Sequence, residues 1–349
     1  MILREESWTL DSLARLLAGM PNFTDSDYFS SIRQLPVWKA HSEDLDDLFE
    51  RFQALYATPF SQWAHENLST SAHTDTVFYP FSGPDFIFAH LLFPRASNYI
   101  LCGLESCAPT DWATQFDETL LPETLLGTAR CISHFLKHSY FLTSDLREHV
   151  CDERVPGVLP ILLVLLARAG CRVESVHPIR PKSEAADASG GPEHGFRIEF
   201  RKGRTKGNVF YFSQDLRDDF FFGESALFRF ISSLDDCSVF SKSASYLLHE
   251  SNFSKIRNLI FERCSVLVQD PSSMPYRLLE ESGWDMNLYG CYSGTIPVFD
   301  RYEQPDLIQA YQAASESKPL GFGIGYATDP RSASLIAARR AKINCCEEV

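Results

Sequence analysis

The chain has 349 residues, of which 44% are hydrophobic and 22% are charged, values typical of a globular protein with a large core. Its 32 basic and 46 acidic side chains give a formal net charge of −14, which argues against a general attraction to nucleic acid or anionic lipid. We therefore expect no nucleic-acid partner. The longest apolar run, at 158–167, is shorter than the roughly 20 residues that span a bilayer, so we expect no transmembrane segment.

The N-terminus predicts a cytoplasmic protein as the sequence is written. Arg4, Glu5 and Glu6 stand where an export signal needs an apolar core. A start site further upstream would reopen a periplasmic or lipoprotein location. The ten cysteines are scattered and form no C-x-x-C pair, a spacing that predicts reduced structural thiols instead of a zinc site.

Three regions are predicted along the chain. Apolar residues recur at helical spacing from Leu10 to Tyr56, so residues 1–70 are predicted to form a helical N-terminal lobe. Residues 71–330 alternate short apolar runs with helical stretches, a pattern typical of an α/β domain. Within that domain the polar, Gly/Pro/Ser-rich segment 181–195 predicts a mobile loop. Residues 331–349 are predicted to form a tail with a frayed helix.

The α/β domain opens with the segment "VFYPFSGPDFIFAHLLFPRASNYILCGLE". It predicts a strand at 76–79, a tight loop, a helix from Pro84 to about Leu92 and a second strand at 99–104. Such a unit is typical of a Rossmann-like, mostly parallel sheet with flanking helices, which is the fold class that we predict. In such a sheet the loop after the first strand lies at the carboxyl ends of the strands, where ligands collect.

Further elements follow from apolar periodicity and from turn residues. The basic stretch "RKGRTKG" predicts the turn of an added β-hairpin, because apolar strand-like runs stand on both sides of it. The remaining predictions are helices at 121–137, 158–169, 242–261 and 305–313, strands at 171–176 and 265–269, a strand with a hairpin at 284–299, and a Gly-rich final strand at 321–326.

Four residues of the opening segment are candidates for cofactor binding. Ser82 and Gly83 lie in the loop, and glycine lets a ligand approach the main chain. Asp85 brings a carboxylate to the start of the helix, which disfavours a phosphate cradle there. Glu105 ends the second strand, a position from which an acidic side chain can hold ribose hydroxyls. The alternative interpretation is an ordinary α/β turn, with Asp85 as a helix-start residue.

This opening segment resembles that of the class I Rossmann-like S-adenosylmethionine-dependent methyltransferases, which have a strand, a glycine-containing loop, a helix and an acidic residue after the second strand. The resemblance implies S-adenosylmethionine as the cofactor. It would place Ser82, Gly83 and Asp85 beside the methionine part and Glu105 beside the ribose. The loop departs from the family pattern, because it has one glycine and two prolines where the family usually carries a G-x-G core.

A second resemblance extends over more of the chain. The stretches "YPFSGPD", "LYGCYSGTI" and "FGIGY", in this order from Tyr79 to Tyr326, resemble those of an uncharacterised bacterial protein family. That resemblance implies no activity. Export or lipoprotein signals in some members of the family keep an envelope location open.

A second group of polar residues follows the strand predicted at 265–269. Asp270 stands at a strand end, and with Tyr276, Arg277 and Tyr289 it is a candidate for binding a substrate. The alternative is that Asp270 bonds the backbone of its own turn and that Tyr289 packs in the core.

His134 and His138 stand one helical turn apart, the spacing of two metal ligands on one helix face, with His149 or Cys151 as a third ligand. They lack the H-E-x-x-H pattern, and we assign no metal residue.

Three function classes therefore remain. The leading hypothesis is a small-molecule-binding, Rossmann-like protein related to the methyltransferases. The alternative is a non-enzymatic, envelope-associated or interaction protein that uses the same fold as a scaffold. A hydrolase or metal enzyme is third. Because one fold hosts many functions, the sequence does not decide between enzyme and scaffold.

Overall fold

The computed structural model describes residues 8–22, 29–68, 74–107, 112, 118–141, 146, 157–179, 194–223, 225–314 and 319–340. These residues form a mixed α/β protein around a nine-stranded sheet. The strands are β1 (Thr76–Tyr79), β2 (Asn98–Gly103), β3 (Arg172–Ile179), β4 (Gly195–Lys202), β5 (Thr205–Ser213), β6 (Cys237–Ser241), β7 (Cys264–Gln269), β8 (Trp284–Gly290) and β9 (Ser334–Arg340).

The described α-helices lie on both sides of this sheet. In chain order they are α1 (Leu10–Leu17), α2 (Pro36–Phe52), α3 (Thr58–Leu68), α4 (Phe86–Leu92), α5 (Leu121–His138), α6 (Leu159–Arg168), α7 (Ala226–Ser232), α8 (Ser254–Arg263), α9 (Tyr276–Glu281) and α10 (Pro305–Ala313). None of the helices in the described part of the chain is both long enough and apolar enough to cross a membrane.

The sheet has the strand order β3-β4-β5-β2-β1-β6-β7-β9-β8. Its centre is parallel: β2 pairs with β5 and β1, and β6 pairs with β1 and β7. Its two edges are antiparallel, through β3-β4-β5 on one side and β7-β9-β8 on the other. The predicted mostly parallel sheet is therefore not confirmed, since the described sheet is mixed and its parallel pairs are confined to the centre.

Two apolar cores cover the two faces of the sheet. Successive side chains of β1 point to opposite faces of the sheet, so Val77 and Tyr79 belong to one core and Phe78 belongs to the other. The first core takes in α1 to α6, so the N-terminal helices pack on the same core as the sheet. The second core takes in α7 to α10. Helix α6 is apolar on all sides because it is buried along its length, apart from the half-buried Arg168 at its end.

The unit from β1 to β2 has the predicted strand, loop, helix and strand. Helix α4 begins at Phe86, two residues after Pro84, and the side chain of its N-cap residue Asp85 accepts a hydrogen bond from Phe88 N. Strand β2 ends at Gly103, and Leu104 and Glu105 turn away from the sheet. Glu105 therefore follows directly on a central parallel strand.

The helix predicted at 242–261 is wrong over its first half, and strand β6 was not predicted. Residues 242–246 form a loop, 3₁₀ turns follow at Leu247–His249 and Ser251–Phe253, and the α-helix begins at Ser254. Strand β6 has only five residues, and two of them are serines. Its pairing with the neighbouring parallel strands fixes it as a strand, which local periodicity does not reveal.

The predictions for the C-terminal part also need correction. The "GFGIGY" segment forms a turn with a single bridge between Ile324 and Ala327 instead of a strand. Ser334–Arg340 is the strand β9 between β7 and β8, whereas its residues from Ala337 onward were predicted as part of a frayed helix. Strand β8 therefore pairs with β9 and not within a local hairpin. Burial in the sheet outweighs the helix propensity of the alanines in "SLIAARR".

The hairpin predicted around "RKGRTKG" is present as β4 and β5, joined at residues 203–204. Most of the loop predicted at 181–195 lies outside the described residues, as do residues 341–349 of the predicted tail.

Candidate functional site

A cleft of about 610 Å³ lies at the carboxyl ends of the central parallel strands. Its lining comes from the loop after β1, the end of β2, and the segments that follow β5 and β6. The four residues predicted to bind a cofactor all line it: Ser82, Gly83, Asp85 and Glu105. The four residues therefore form part of one wall of this cleft.

The loop after β1 is fastened to the end of β2. Gly83 has a φ of 53°, a left-handed conformation that favours glycine, and its N–H donates to the carbonyl of Cys102 at 3.0 Å. Ser82 Oγ accepts from Cys102 N at 3.0 Å and donates to the carbonyl of Gly83 at 2.9 Å. These bonds hold the loop in one conformation at the cleft wall.

The Glu105 carboxylate lies over Gly103. A Cβ added to Gly103 would clash with Glu105 Oε2 and lie 2.8 Å from the Tyr211 hydroxyl. That hydroxyl donates to Glu105 Oε2 at 3.2 Å, and burial together with this carboxylate raises the pKa of Tyr211 well above its usual value. Glycine at 103 is therefore required for the position that the carboxylate takes in the cleft wall.

Asp85 forms a buried ion pair with Lys242, whose side chain comes from the loop after β6. Lys242 Nζ lies 2.9 Å from Asp85 Oδ2, and the two side chains are 0% and 2% exposed. The Tyr79 hydroxyl donates to the same oxygen at 3.0 Å, while Asp85 Oδ1 accepts from Phe88 N. Lys242 also donates to the carbonyl of Ser139. Asp85 thus holds α4 and Lys242 in place with both of its carboxylate oxygens.

Asp270 lies below the cleft and is not among its lining residues. Its carboxylate accepts hydrogen bonds from Ser243 N at 2.9 Å, from Ser272 N at 3.0 Å and from Ser272 Oγ at 2.6 Å. Burial raises the pKa of Asp270 above its usual value, although these hydrogen bonds act to lower it. Asp270 therefore supports the loop at 242–246 from beneath.

The other three residues predicted to bind a substrate lie away from the cleft. Tyr276 is buried in the second core, and Arg277 is exposed and pairs with Glu281 on the surface of α9. Tyr289 packs edge-on against Trp63, with ring centroids 5.0 Å apart. The structure brings none of the three together with Glu105.

The loop at 242–246 supplies cleft residues that the sequence analysis missed. Ser243, Ser245 and Tyr246 have φ values of 53°, 52° and 58°, which is uncommon for residues other than glycine. The Tyr326 hydroxyl donates to the carbonyl of Ser243 at 3.0 Å and lies 2.7 Å from Ser245 Oγ. The signal in the sequence was a single lysine in the serine-rich stretch "SVFSKSAS", directly after a short apolar run.

His134 and His138 face a second groove between α2 and α5, with ring centroids 4.5 Å apart. Their candidate third ligands, His149 and Cys151, lie outside the described residues. Across the ranges that the structure describes, no three His, Cys, Asp or Glu side chains are grouped so that they could hold a metal ion.

Comparisons of this chain with protein families, with curated protein sequences and with solved structures found no match.

Proposed function

We propose that the cleft binds S-adenosylmethionine or its demethylated product, S-adenosylhomocysteine, and that the chain is a small-molecule-binding, Rossmann-like protein related to the S-adenosylmethionine-dependent methyltransferases. One observation carries the proposal. The glycine loop after β1 and the carboxylate after β2 converge on one cleft at the carboxyl ends of parallel strands. The rest of the fold is then the scaffold of this site.

The order of the parallel strands supports the proposal. Counted along the chain, the five central strands β1, β2, β5, β6 and β7 stand in the order 3-2-1-4-5. The doubly wound dinucleotide-binding sheet has the order 3-2-1-4-5-6, and its ligand lies where the order reverses. Here the order reverses between β1 and β6, and Asp85 and Lys242 meet across that boundary in the floor of the cleft.

The hydrogen bonds of the loop favour a nucleoside that carries no phosphate. A phosphate cradle needs free backbone N–H groups at a helix start. Here Gly83 N donates to Cys102, Asp85 N to Ser82, and Phe88 N to the carboxylate of Asp85. These donors are already used, which disfavours a dinucleotide. S-adenosylmethionine has ribose hydroxyls and no phosphate.

Glu105 provides the chemistry that ribose needs. A carboxylate has two acceptor oxygens and no donor when ionised, so it can accept from two neighbouring hydroxyls. Leu104 beside it lines the same cleft and is 53% exposed, which offers an apolar surface to a purine base. The ribose and the base would then lie at the ends of β2 and β5.

The proposal is tested by calorimetric titration with S-adenosylhomocysteine. We expect micromolar binding to the unchanged protein. Glu105→Gln keeps the shape of the side chain and removes its charge, and we expect about 10-fold to 100-fold weaker binding, the value of one or two hydrogen bonds to a charged group. Glu281→Gln, an exposed carboxylate on α9, is the matched control and should bind normally.

A second titration, with NAD, tests the choice of ligand class. Because the backbone N–H groups of the loop after β1 already make hydrogen bonds within the protein, we expect no measurable binding of this phosphate-bearing nucleotide. If S-adenosylhomocysteine gives no heat, or if Glu105→Gln binds it as tightly as the unchanged protein does, the proposal is wrong. The scaffold or envelope alternative would then be the better account.

A further inference from the structure

Tyrosine rings form one side of the cleft, on the side of β6. Tyr140, Tyr302 and Tyr326 line it together with Ser243 and Ser245, and we call these five residues the aromatic half. The rings of Tyr140 and Tyr326 meet at 63° with centroids 5.3 Å apart, so they form a corner. An aromatic ligand in such a corner can stack on one ring and touch the other edge-on.

Hydrogen bonds hold two of these rings in place. The Tyr326 hydroxyl is bonded to the loop at 243–245, and the Tyr302 hydroxyl donates to the carboxylate of Glu250. Tyr246 stacks on Tyr302, with an interplanar angle of 3° and centroids 5.1 Å apart. Rings fixed in this way lose little conformational entropy when a ligand packs against them.

The charges beside the aromatic half argue against a cationic ligand. Arg301 lies over the ring of Tyr302, 4.6 Å from its centroid, and is paired with Glu250. Lys242 lines the cleft floor and is paired with Asp85. Two positive groups are thus already present on this side of the cleft, and Glu250 and Asp85 are their acidic partners. An uncharged aromatic ring avoids this repulsion.

Ser243 supplies a polar group that lacks a partner. Its hydroxyl oxygen is buried and makes no hydrogen bond to any described residue, although the residue lines the cleft. A buried hydroxyl without a partner costs free energy, and the left-handed backbone of Ser243 is itself strained. The unpartnered hydroxyl points to a ligand group that completes this position.

We propose that the aromatic half binds an uncharged, planar aromatic ring whose hydroxyl or ring nitrogen forms a hydrogen bond with Ser243. The ring packs in the corner between Tyr140 and Tyr326. This inference deepens the proposed function and rests on it in one respect only: if S-adenosylmethionine occupies the Glu105 side, the aromatic compound is the molecule bound next to it.

The probe is 2-naphthol, titrated against the purified protein with binding followed by ligand-observed NMR. Decahydro-2-naphthol has the same skeleton without aromaticity, and 2-naphthylmethylammonium has the same rings with a positive charge. We expect decahydro-2-naphthol to bind about threefold to tenfold more weakly than 2-naphthol, the range that stacking supplies. The ammonium probe should also bind more weakly, because Arg301 and Lys242 repel its charge. Equal binding of the saturated analogue would overturn the proposal.

Variants locate the binding site. Tyr326→Leu should weaken 2-naphthol binding about threefold to tenfold, whereas Tyr326→Phe, which keeps the ring, should retain it. Ser243→Ala should weaken 2-naphthol and leave naphthalene unaffected. Tyr289→Leu is the matched control, because Tyr289 packs on Trp63 outside the cleft. Unchanged binding in a folded Tyr326→Leu protein would overturn the proposal.

Titration with 2-naphthol in the presence and absence of S-adenosylhomocysteine separates the two proposals. Selective 2-naphthol binding without any binding of S-adenosylhomocysteine supports the aromatic half and refutes the proposed function. Binding of S-adenosylhomocysteine without a preference for aromatic probes supports the proposed function and refutes the aromatic half. Simultaneous binding supports both, and mutual displacement overturns the assignment of separate halves.

Discussion

The buried pair of Asp85 and Lys242 makes a quantitative prediction about stability. Both side chains are excluded from water, and their charged atoms lie 2.9 Å apart. Removing one partner leaves an uncompensated buried charge, which costs about 3–5 kcal/mol in the free energy of unfolding. Lys242→Met keeps the length of the side chain, and Asp85→Asn keeps the oxygen that caps α4. Each single variant should therefore lose about that amount.

The double variant Asp85→Asn/Lys242→Met removes both charges together. We expect its loss of stability to be about 1–3 kcal/mol smaller than the sum of the two single losses, because neither charge is left unpaired. The assay is urea unfolding followed by circular dichroism, with a comparison of midpoints and slopes. Additive losses, or single losses below about 1 kcal/mol, the value of an exposed pair, would refute a buried and coupled ion pair.

Three further predictions concern other parts of the chain. Gly103→Ala should fold at a cost of about 1–3 kcal/mol and lose S-adenosylhomocysteine affinity, since its Cβ displaces the Glu105 carboxylate; calorimetry that finds normal affinity would contradict this. Burial lowers the pKa of His90 from 6.5 to about 3 in the folded protein. As the pH falls below 6.5, the imidazole of the unfolded chain is protonated while that of the folded protein is not, so the free energy of unfolding decreases. In urea unfolding, His90→Gln should lose less stability than the unchanged protein between about pH 7 and about pH 5. Cys291 is exposed and Cys264 is buried with a raised pKa, so peptide mapping after brief alkylation should find label on Cys291 and not on Cys264.

The cleft wall around Gly83 was predictable because its signals are local. Proline, glycine and aspartate in "YPFSGPD" mark the end of a strand and the start of a helix within seven residues. The apolar run before Gly103 marks the next strand, which places Glu105 after it. The sequence alone therefore predicted that Ser82, Gly83, Asp85 and Glu105 lie at this end of the sheet, without knowledge of any distant contact.

The opposite side of the cleft depends on long-range contacts. Tyr140, Lys242 and Tyr326 come from three distant parts of the chain and meet in the cleft, where β6 lies beside β1. Strand β6 is too short and too rich in serine for periodicity to reveal it, so Lys242 was predicted to lie in a helix. Strand β9 was missed for a related reason, since its alanines favour a helix until the sheet buries them.

Tyr276, Arg277 and Tyr289 illustrate the limit of reasoning from proximity in the sequence. They follow a strand that does end at this edge of the sheet, yet the chain turns into α9 and β8 and carries them away from the cleft. Asp270 alone stays at the strand end, where it supports the loop at 242–246. Residue type and order gave no means of placing Tyr276 and Arg277, whereas the alternative interpretation already had Asp270 bond its own turn and Tyr289 pack in the core.

The most direct test of the central claim is a crystal structure of the protein with S-adenosylhomocysteine bound. The account predicts that at least one ribose hydroxyl oxygen lies within about 3.2 Å of the Glu105 carboxylate, with the thioether part of the ligand beside the loop of Gly83. A ligand bound outside this cleft, or a ribose that does not contact Glu105, would contradict the account.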